Sequence, residues 1–334
     1  MTVSVKQYTF IFRSNIMTPT LFETNSILPD FNSMATESNW RDLIVDDRTN
    51  SNIFFDVNIQ PLKDHLNSNM TDNDNQIVFD AEANHIIAVH GSRYTLLKNS
   101  DAFDSVNAAV NTLAENGVLN MDGAFIKDAV VNKGGKVIRQ YFFPAHMVQI
   151  GSGDKVILRL VVVNSYDGSC NFQVQAGGFR IVCTNGMITG EKFLSLDVRH
   201  TGTMNFGQVT RQVTTAVSSF ENMGQYWDTL INSPLNRKDA DKIITDMSTV
   251  GRELNMNKFD MFDRLYTDHK KTLGENHWAM YNSLTAWATH YKVNESNISN
   301  IDNVRLEREK SIQHLMRKPA IWNPVRNNKA QFLL

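Results

Sequence analysis

Three apolar runs within residues 155–184 constrain the fold more than any other part of the chain. The runs are KVILRLVVVN from Lys155, CNFQVQA from Cys170 and FRIVCT from Phe179. Each run is short, rich in β-branched or aromatic residues and close to a period of two, which predicts a β-strand. The breaks contain Asp167-Gly168 and Gly177-Gly178, dipeptides that favour tight turns. The sequence therefore predicts a three-stranded antiparallel meander.

The lengths of the two breaks predict a register for this meander. If Asn164 faces Cys170 and Ala176 faces Phe179, one face of the sheet becomes wholly apolar. Its side chains are Leu158, Leu160, Val162, Phe172, Val174, Ala176, Phe179, Ile181 and Cys183. The opposite face carries a row made of Arg159, Gln175 and Arg180. A slip of one residue would mix the two sets, so their separation supports the register.

Around the meander the pattern predicts strands first and helices afterwards. Hairpins are expected at 76–80 with 85–89, and at 124–131 with 136–143, the second closed by Pro144. Ser100 is expected to cap a first helix that ends near Gly117. An edge strand at 193–199 precedes a long helix from Phe206, and further helices follow at 236–250, after a Thr272 and Glu275 capping box, and at 302–316. The aromatic stripe between 278 and 291 is expected in the core.

This grouping of strands and helices indicates an α+β fold, an antiparallel meander packed by a long helix and followed by a helical C-terminal part. The predicted organisation has four parts. They are an irregular acidic region at 1–75 with a linker at 67–75, a sheet and helix core at 76–232, a helical part at 233–317 and an extended tail at 318–334.

Charge is distributed unevenly along the chain. The total is −2, yet residues 133–211 hold nine Lys or Arg against four Asp or Glu, or +5. Residues 1–75 hold five basic and ten acidic residues, or −5. Two interpretations are open for the positive segment: ordinary solvated charge at sheet edges, or a basic groove on an otherwise acidic molecule.

The location expected from the sequence is intracellular. No apolar run is long enough to cross a bilayer, and the N-terminus lacks the apolar region of a signal peptide. Cys170 and Cys183 are predicted on adjacent strands but one row apart, which favours buried free thiols over a disulfide.

No catalytic motif is found, so we expect a protein that is not an enzyme and needs no cofactor or metal. Gly151-Ser-Gly153 precedes a strand, whereas a phosphate-binding loop follows one. The nine histidines lack HExxH spacing. Cys183 with His200 is rejected as a nucleophile and base because Cys183 falls on the predicted apolar face. Asp167-Gly168 is attributed to turn formation.

Several short motifs resemble a family of phage and plasmid proteins, a domain-of-unknown-function family. They are Ser92-Arg-Tyr94, Asn164-Ser-Tyr-Asp-Gly-Ser169, Arg180-Ile-Val-Cys-Thr-Asn-Gly186, Arg199-His-Thr201 and Ala286-Trp287, and the likeness covers about 76–295. The resemblance implies a mobile-element origin and a bacterial cytoplasm, without a settled activity. The order of a meander followed by a long helix is also similar to phage single-strand annealing proteins of the Redβ and Erf types, an analogy of fold alone.

The leading functional hypothesis is an oligomeric protein, a ring or filament, that binds and anneals single-stranded DNA. Cationic side chains of the positive segment would meet phosphates while bases stay accessible. The candidate DNA-binding residues are Lys133, Lys136, Arg139, Lys155, Arg159, Gln175, Arg180, Lys192, Arg199, His200 and Arg211. The alternative is an interaction factor that inhibits a host defence or restriction protein through the acidic N-terminal region. An enzyme acting on nucleic acid would need carboxylates or histidines that converge only in space.

Overall fold

The computed structural model describes residues 52–66, 74–151, 153–181, 185–188, 195–198, 206–292 and 300–324. Predictions for residues 1–51, most of the linker at 67–75, and Cys183 lie outside these ranges.

A three-stranded antiparallel sheet comes first. Its strands are β1 (Val57–Pro61), β2 (Asn75–Asp80) and β3 (His85–Gly91), in the order β1-β2-β3. The hairpin of β2 and β3 confirms the prediction. Strand β1 was not predicted, and it pairs with β2 from Val57 opposite Asp80. The expectation of an irregular region up to residue 75 is therefore wrong for this segment, because Ile53 and Val57 bury their side chains almost completely.

The larger sheet contains six described strands. In chain order they are β4 (Phe125–Val131), β5 (Lys136–Ile150), β6 (Asp154–Ser165), β7 (Phe172–Arg180), β8 (Asn185–Ile188) and β9 (Ser195–Val198). Their order is β4-β5-β6-β7-β8, and β9 pairs with the first part of β7. Pro144 does not close β5. The strand continues past it through a bulge between Phe143 and Met147, where proline's missing N–H costs no ladder bond.

The predicted turn at Gly177-Gly178 is also wrong. β7 passes through both glycines, and β8 pairs with it in the antiparallel sense, with Asn185 opposite Arg180. Gly178 serves close packing instead: a Cβ there would overlap Val156 and lie 2.5 Å from Trp227 Cη2. Two adjacent glycines favour a turn locally, but here one of them lets a helix approach the sheet.

The missed turn inverts the side chains that follow it. The pairing of β6 with β7 is displaced by two residues from the predicted one, with Val162 opposite Val174, so both strands keep their predicted faces up to Ala176. Beyond that point Phe179 and Ile181 pack with Phe142 and Ile157 on the other face. Arg180 lies opposite Val156. Arg159 and Arg180 therefore point to opposite faces, and the predicted row is wrong.

Seven helices are described. They are α1 (Asn99–Glu115), α2 (Phe206–Ser218), α3 (Phe220–Ile231), α4 (Arg237–Ser248), α5 (Met256–Leu273), α6 (His277–His290) and α7 (Ile301–Met316). A short hairpin, β10 (Thr249–Val250) with β11 (Glu253–Leu254), joins α4 to α5. The α+β class is confirmed.

Local capping sets some of the helix starts. The predicted Ser100 cap of the first helix is wrong, because Lys98 occupies the cap position of α1 without a side-chain bond and Ser100 lies inside the helix. Asn236 caps α4 by accepting from Asp239 N at 2.9 Å, in agreement with the helix start expected at residue 236. The capping box at Thr272 is wrong, because Thr272 lies in the last turn of α5 and Asn276 caps α6. Helix α5 was not predicted, and the predicted long helix from Phe206 is divided in two at Ser219.

The two faces of the larger sheet are covered differently. The apolar face, defined by Leu158, Leu160 and Val162, packs in one cluster with residues of α1, α2, α3 and α6. The predicted aromatic stripe of α6 joins that core through Trp278 and Tyr281. The polar face, which bears Lys127, Lys136, Gln140, Arg159 and Gln175, is covered by α7, whose Leu306 packs on Val161 and Val163.

Candidate functional site

Arg159 is the centre of a buried polar cluster beneath α7. Its Nη1 donates to both carboxylate oxygens of Glu309, at 3.0 and 3.2 Å, and its Nε donates to Gln140 Oε1 at 2.9 Å. Both charged side chains are less than a tenth exposed. A buried pair of this kind needs both partners, because removal of one leaves an unpaired charge in a medium of low dielectric. Arg159 therefore fastens α7 to the sheet.

Two lysines on the same face bind the first turn of α7. Lys127 Nζ lies 3.2 Å from Asp302 Oδ1, and Lys136 Nζ donates to Asn303 Oδ1 at 2.8 Å. Both lysines are almost completely buried. Lys136 is one of the candidate DNA-binding residues, and here it is bonded to a helix of the same chain.

Arg139 and Arg180 lie on the apolar face, where each has an acidic partner. Arg139 makes two 2.7 Å bonds to Asp128 and lies over the ring of Phe103. Burial alone would lower the pKa of Arg139, but the bonds to Asp128 more than offset it and raise the pKa. Arg180 Nη2 donates to Asp154, which also accepts from Trp278 Nε1 at 2.8 Å. These arginines stabilise the core side of the sheet.

The other candidate residues are scattered. Gln175 is buried on the polar face, with its amide 3.4 Å from Gln173 Oε1. Lys155 is half-buried, and Lys133 and Arg211 are exposed. Lys192, Arg199 and His200 lie outside the described residues. The structure thus brings Lys136, Arg159 and Gln175 to one face, places Arg139 and Arg180 on the opposite one, and leaves Lys133 and Arg211 apart.

A second site, the motif groove, is an open groove of about 570 Å³ beside the end of β3. It is lined by Asp74, Asn75, His90, Gly91, Ser92, Arg93, Tyr94, Gly168, Cys170 and Asn171. The rings of His90 and Tyr94 stack with centroids 3.9 Å apart and planes 8° apart. Arg93 is exposed. The Ser92-Arg-Tyr94 motif and the loop after β6, distant in sequence, therefore meet here.

A buried amide network holds the motif groove in place. Asn164 Nδ2 donates to Asn99 Oδ1 and to the Leu97 carbonyl, both at 2.9 Å. The Asn99 backbone N–H donates to the Tyr166 hydroxyl at 2.8 Å, and His90 Nε2 lies 2.7 Å from the Tyr166 carbonyl oxygen. These bonds join β3, the start of α1 and the end of β6. The Asn164–Ser169 motif thus positions the groove by hydrogen bonds of its own residues.

The family model described as Domain of unknown function (DUF932) matches residues 86–322, which is more than half of the chain and includes the polar cluster and most of the motif groove. The chain belongs to the DUF932 family. This confirms the family resemblance drawn from the short motifs.

Two curated relatives match a short segment of this DUF932 chain. UPF0380 protein YfjQ and UPF0380 protein YafZ, both from Escherichia coli strain K12, are each 40% identical to it over 48 residues. That segment is 14% of the chain and 18% of each relative. No solved structure matches the chain. The likeness to annealing proteins of the Redβ and Erf types therefore stays a prediction.

Burial keeps two side chains of the motif groove protonated near neutral pH. Burial raises the pKa of the Cys170 thiol, with the nearby Lys136 opposing the shift, so the thiol is a poor nucleophile near neutral pH. Burial likewise raises the pKa of the Tyr94 hydroxyl, helped by the charge of Asp167. Asp167 itself accepts from Asn132 Nδ2 at 3.2 Å and from the Ser169 backbone N–H at 2.9 Å, in keeping with a role in the turn.

Neither a metal-binding cluster nor a membrane-spanning helix is found in the described part of the chain. Within those ranges, no cluster of three or more His, Cys, Asp or Glu has the arrangement of a metal site. Over the same residues, none of the helices combines the length and apolar character that crossing a membrane requires.

The residues of α7 that bind the polar face of the sheet were not predicted from the sequence. The helix expected at 302–316 carries Arg305 and Glu309 four residues apart, with several other charges on the same side. In this DUF932 fold Glu309 turns inward to Arg159, and Arg305 lies 3.6 Å from Asp302. A stripe of residues at helical spacing was the available sign that this side of the helix faces the protein. It consists of three polar residues and one leucine: Asp302, Asn303, Leu306 and Glu309.

Proposed function

We propose that this protein binds single-stranded nucleic acid of a phage or other mobile element along strand β3, and that it works as an oligomer. The observation that carries the proposal is the motif groove, where exposed Arg93 lies beside the stacked rings of His90 and Tyr94. A cation next to aromatic rings and amides suits a phosphate and its base without selecting a sequence. The contact is thereby moved from the buried polar face to an open surface.

A second cation extends the proposed path. Lys133 is exposed, and its carbonyl oxygen lies 3.0 Å from His85 Nε2 at the start of β3. Because a strand rises by about 3.3 Å per residue, Lys133 and Arg93 are separated by roughly the 20 Å length of β3. Ile86 and Val89 are exposed between them, at 46% and 52%. Asp74 in the groove lining adds one negative charge, so binding is expected to be modest and salt-dependent.

The test is a salt titration of binding to a fluorescent single-stranded oligonucleotide. We expect Arg93→Gln and Lys133→Gln each to weaken binding and to reduce the slope of log affinity against log salt by about one unit. Arg252→Gln, an exposed cation on the β10–β11 hairpin, is the matched control and should change neither quantity. If the unmodified protein shows no binding even at low salt, the proposal is wrong.

The site is tested separately by variants of the buried cations. Arg159→Gln and Arg180→Gln should lower stability, since both arginines have acidic partners inside the protein. If Arg159→Gln abolishes binding while the fold is retained, the polar face rather than β3 is the contact. Native mass measurement with and without the oligonucleotide tests the oligomer.

A factor that binds a host protein is the second candidate, and one observation favours it. The β10–β11 hairpin region exposes three apolar side chains, Val250, Leu254 and Met256, at 55%, 44% and 56%. Exposed apolar groups grouped together mark interaction surfaces. Replacing all three with Ser should leave oligonucleotide binding intact under the first proposal. If the unmodified protein captures a host protein in the absence of nucleic acid and the triple variant does not, the second candidate function is favoured.

A further inference from the structure

The polar cluster beneath α7 encloses a cavity of about 90 Å³. Its lining includes the ion pair of Arg159 with Glu309, the amide of Gln140, and the charged groups of Lys127, Asp302 and Arg305, together with apolar side chains of the sheet. Arg305 is 32% exposed, so the cavity lies next to the molecular surface. At about 30 Å³ per molecule it has room for about three waters, or for one small polyatomic ion.

Two N–H groups on residues that line this cavity donate to no described residue. Arg159 uses Nε and Nη1, while its Nη2 has no partner among the described residues. Gln140 accepts through Oε1, while its Nε2 donates to none of them. Arg159 is 6% exposed and Gln140 is 7% exposed. Buried N–H groups of this kind normally donate to a water or a ligand, because a buried donor without a hydrogen bond costs free energy.

The charge of the lining favours an anion. Three cationic side chains, Lys127, Arg159 and Arg305, face two carboxylates, Asp302 and Glu309. With His290, which also lines the cavity, counted as neutral, this leaves an excess of one positive charge. Guanidinium and amide N–H groups are the donors that recognise oxyanions in protein sites.

We propose that this cavity is a binding site for a small inorganic oxyanion of the phosphate class, held by Arg159 Nη2 and Gln140 Nε2. The anion lies between the sheet and α7, so its binding also stabilises the docked helix. This site is separate from the proposed nucleic-acid path along β3, and either can fail without the other.

The first experiment measures phosphate binding to the full chain by calorimetry, and the melting temperature in phosphate against chloride at equal ionic strength. We expect saturable binding of about one phosphate per chain and a rise in melting temperature with phosphate concentration. Absence of saturable binding would overturn the proposal and leave the cavity to water.

Gln140→Glu locates the site. The new carboxylate still accepts from Arg159 Nε, but it replaces the Nε2 donor and cancels the excess positive charge. We expect phosphate affinity to fall at least about ten-fold. Gln225→Glu, an exposed position on α3, is the control and should bind as the unmodified protein does. Equal binding by Gln140→Glu would place the phosphate elsewhere and overturn the proposal.

Glu309→Gln gives a change of the opposite sign. Because it leaves the buried charge of Arg159 without its carboxylate, phosphate should raise the melting temperature of this variant more than that of the unmodified protein. The substitution removes one negative charge from the lining and still offers an oxygen to Arg159 Nη1, so phosphate should bind more tightly. Glu307→Gln, whose carboxylate is 53% exposed on the same helix, is the control. Weaker binding by Glu309→Gln than by its control would contradict the proposed charge balance.

Discussion

Helices cover both faces of the six-stranded sheet, but the interactions that hold the helices differ between the two faces. On the apolar face Leu158, Leu160 and Val162 are fully buried in one continuous cluster that includes residues of all seven described helices. On the polar face α7 is held through Lys127, Arg159 and their carboxylate partners, with small apolar clusters around them.

This difference separates stability from position. Apolar burial is non-directional and favours any close packing, so it supplies much of the free energy of folding. Buried ion pairs contribute less net stability, because desolvation of both charges offsets their attraction. They do depend on geometry. The contacts of Asp302, Asn303 and Glu309 with Lys127, Lys136 and Arg159 therefore fix where α7 lies along the sheet.

The largest effect is expected where a charge of the polar face loses its partner. Arg159→Met leaves Glu309 buried and unpaired, and it should lower the free energy of unfolding by ~3–5 kcal/mol in urea denaturation. Adding Glu309→Leu should restore most of that loss, since an apolar pair replaces the ion pair. The control is Lys98→Met, which breaks the exposed pair with Asp56 and should cost ~0–1 kcal/mol. A small cost for the Arg159 variant would break the comparison.

A cavity in the apolar face should be nearly as costly but should depend on no partner. Leu160→Ala removes fully buried methyl groups, and we expect a loss of ~2–5 kcal/mol in the same measurement. Val250→Ala, at a side chain that is 55% exposed, is the control and should change little. If Leu160→Ala cost no more than its control, the apolar face would not be the main source of stability.

A smaller loss is expected from overpacking the same face. Gly178→Ala places a methyl group against Val156 and Trp227, and it should destabilise the protein by ~1–3 kcal/mol. Gly153→Ala meets no atom within 4 Å and is the matched control. A neutral Gly178→Ala would show that α3 can move away from β7, contrary to the close packing described above. Thermal denaturation of both variants measures the difference.

The smallest effect is a pH dependence in the helical layer. Burial lowers the pKa of His269 on α5, despite the bond between its ring and the Leu265 carbonyl oxygen. The unfolded chain therefore takes up a proton first as the pH falls, and stability should decrease below about pH 6.5. His269→Asn should reduce the change in urea midpoint between about pH 7.5 and about pH 5.5. The exposed His65→Asn is the control, and an unchanged pH response in His269→Asn would contradict the assignment.

Local patterns predicted the elements whose signals lie within a few residues. The hairpin of β2 and β3, helix α1 and the Asn236 cap of α4 follow from turn residues, apolar spacing and side-chain capping. The pattern failed at Gly177-Gly178, because a glycine pair has the same sequence whether it turns the chain or admits Trp227 from a distant helix. That single error inverted Arg180 and produced a basic row that the fold does not contain.

By itself the sequence determined the α+β class, the family, the alternation of β6 and the presence of a positive segment, since each depends on residue type and short-range spacing. Only the tertiary structure decided which cations are free. Lys136, Arg139, Arg159 and Arg180 each bind a residue of this chain, and Arg159 reaches Glu309 across 150 positions. Charge is a property of the residue, whereas its availability depends on the partners that folding brings to it.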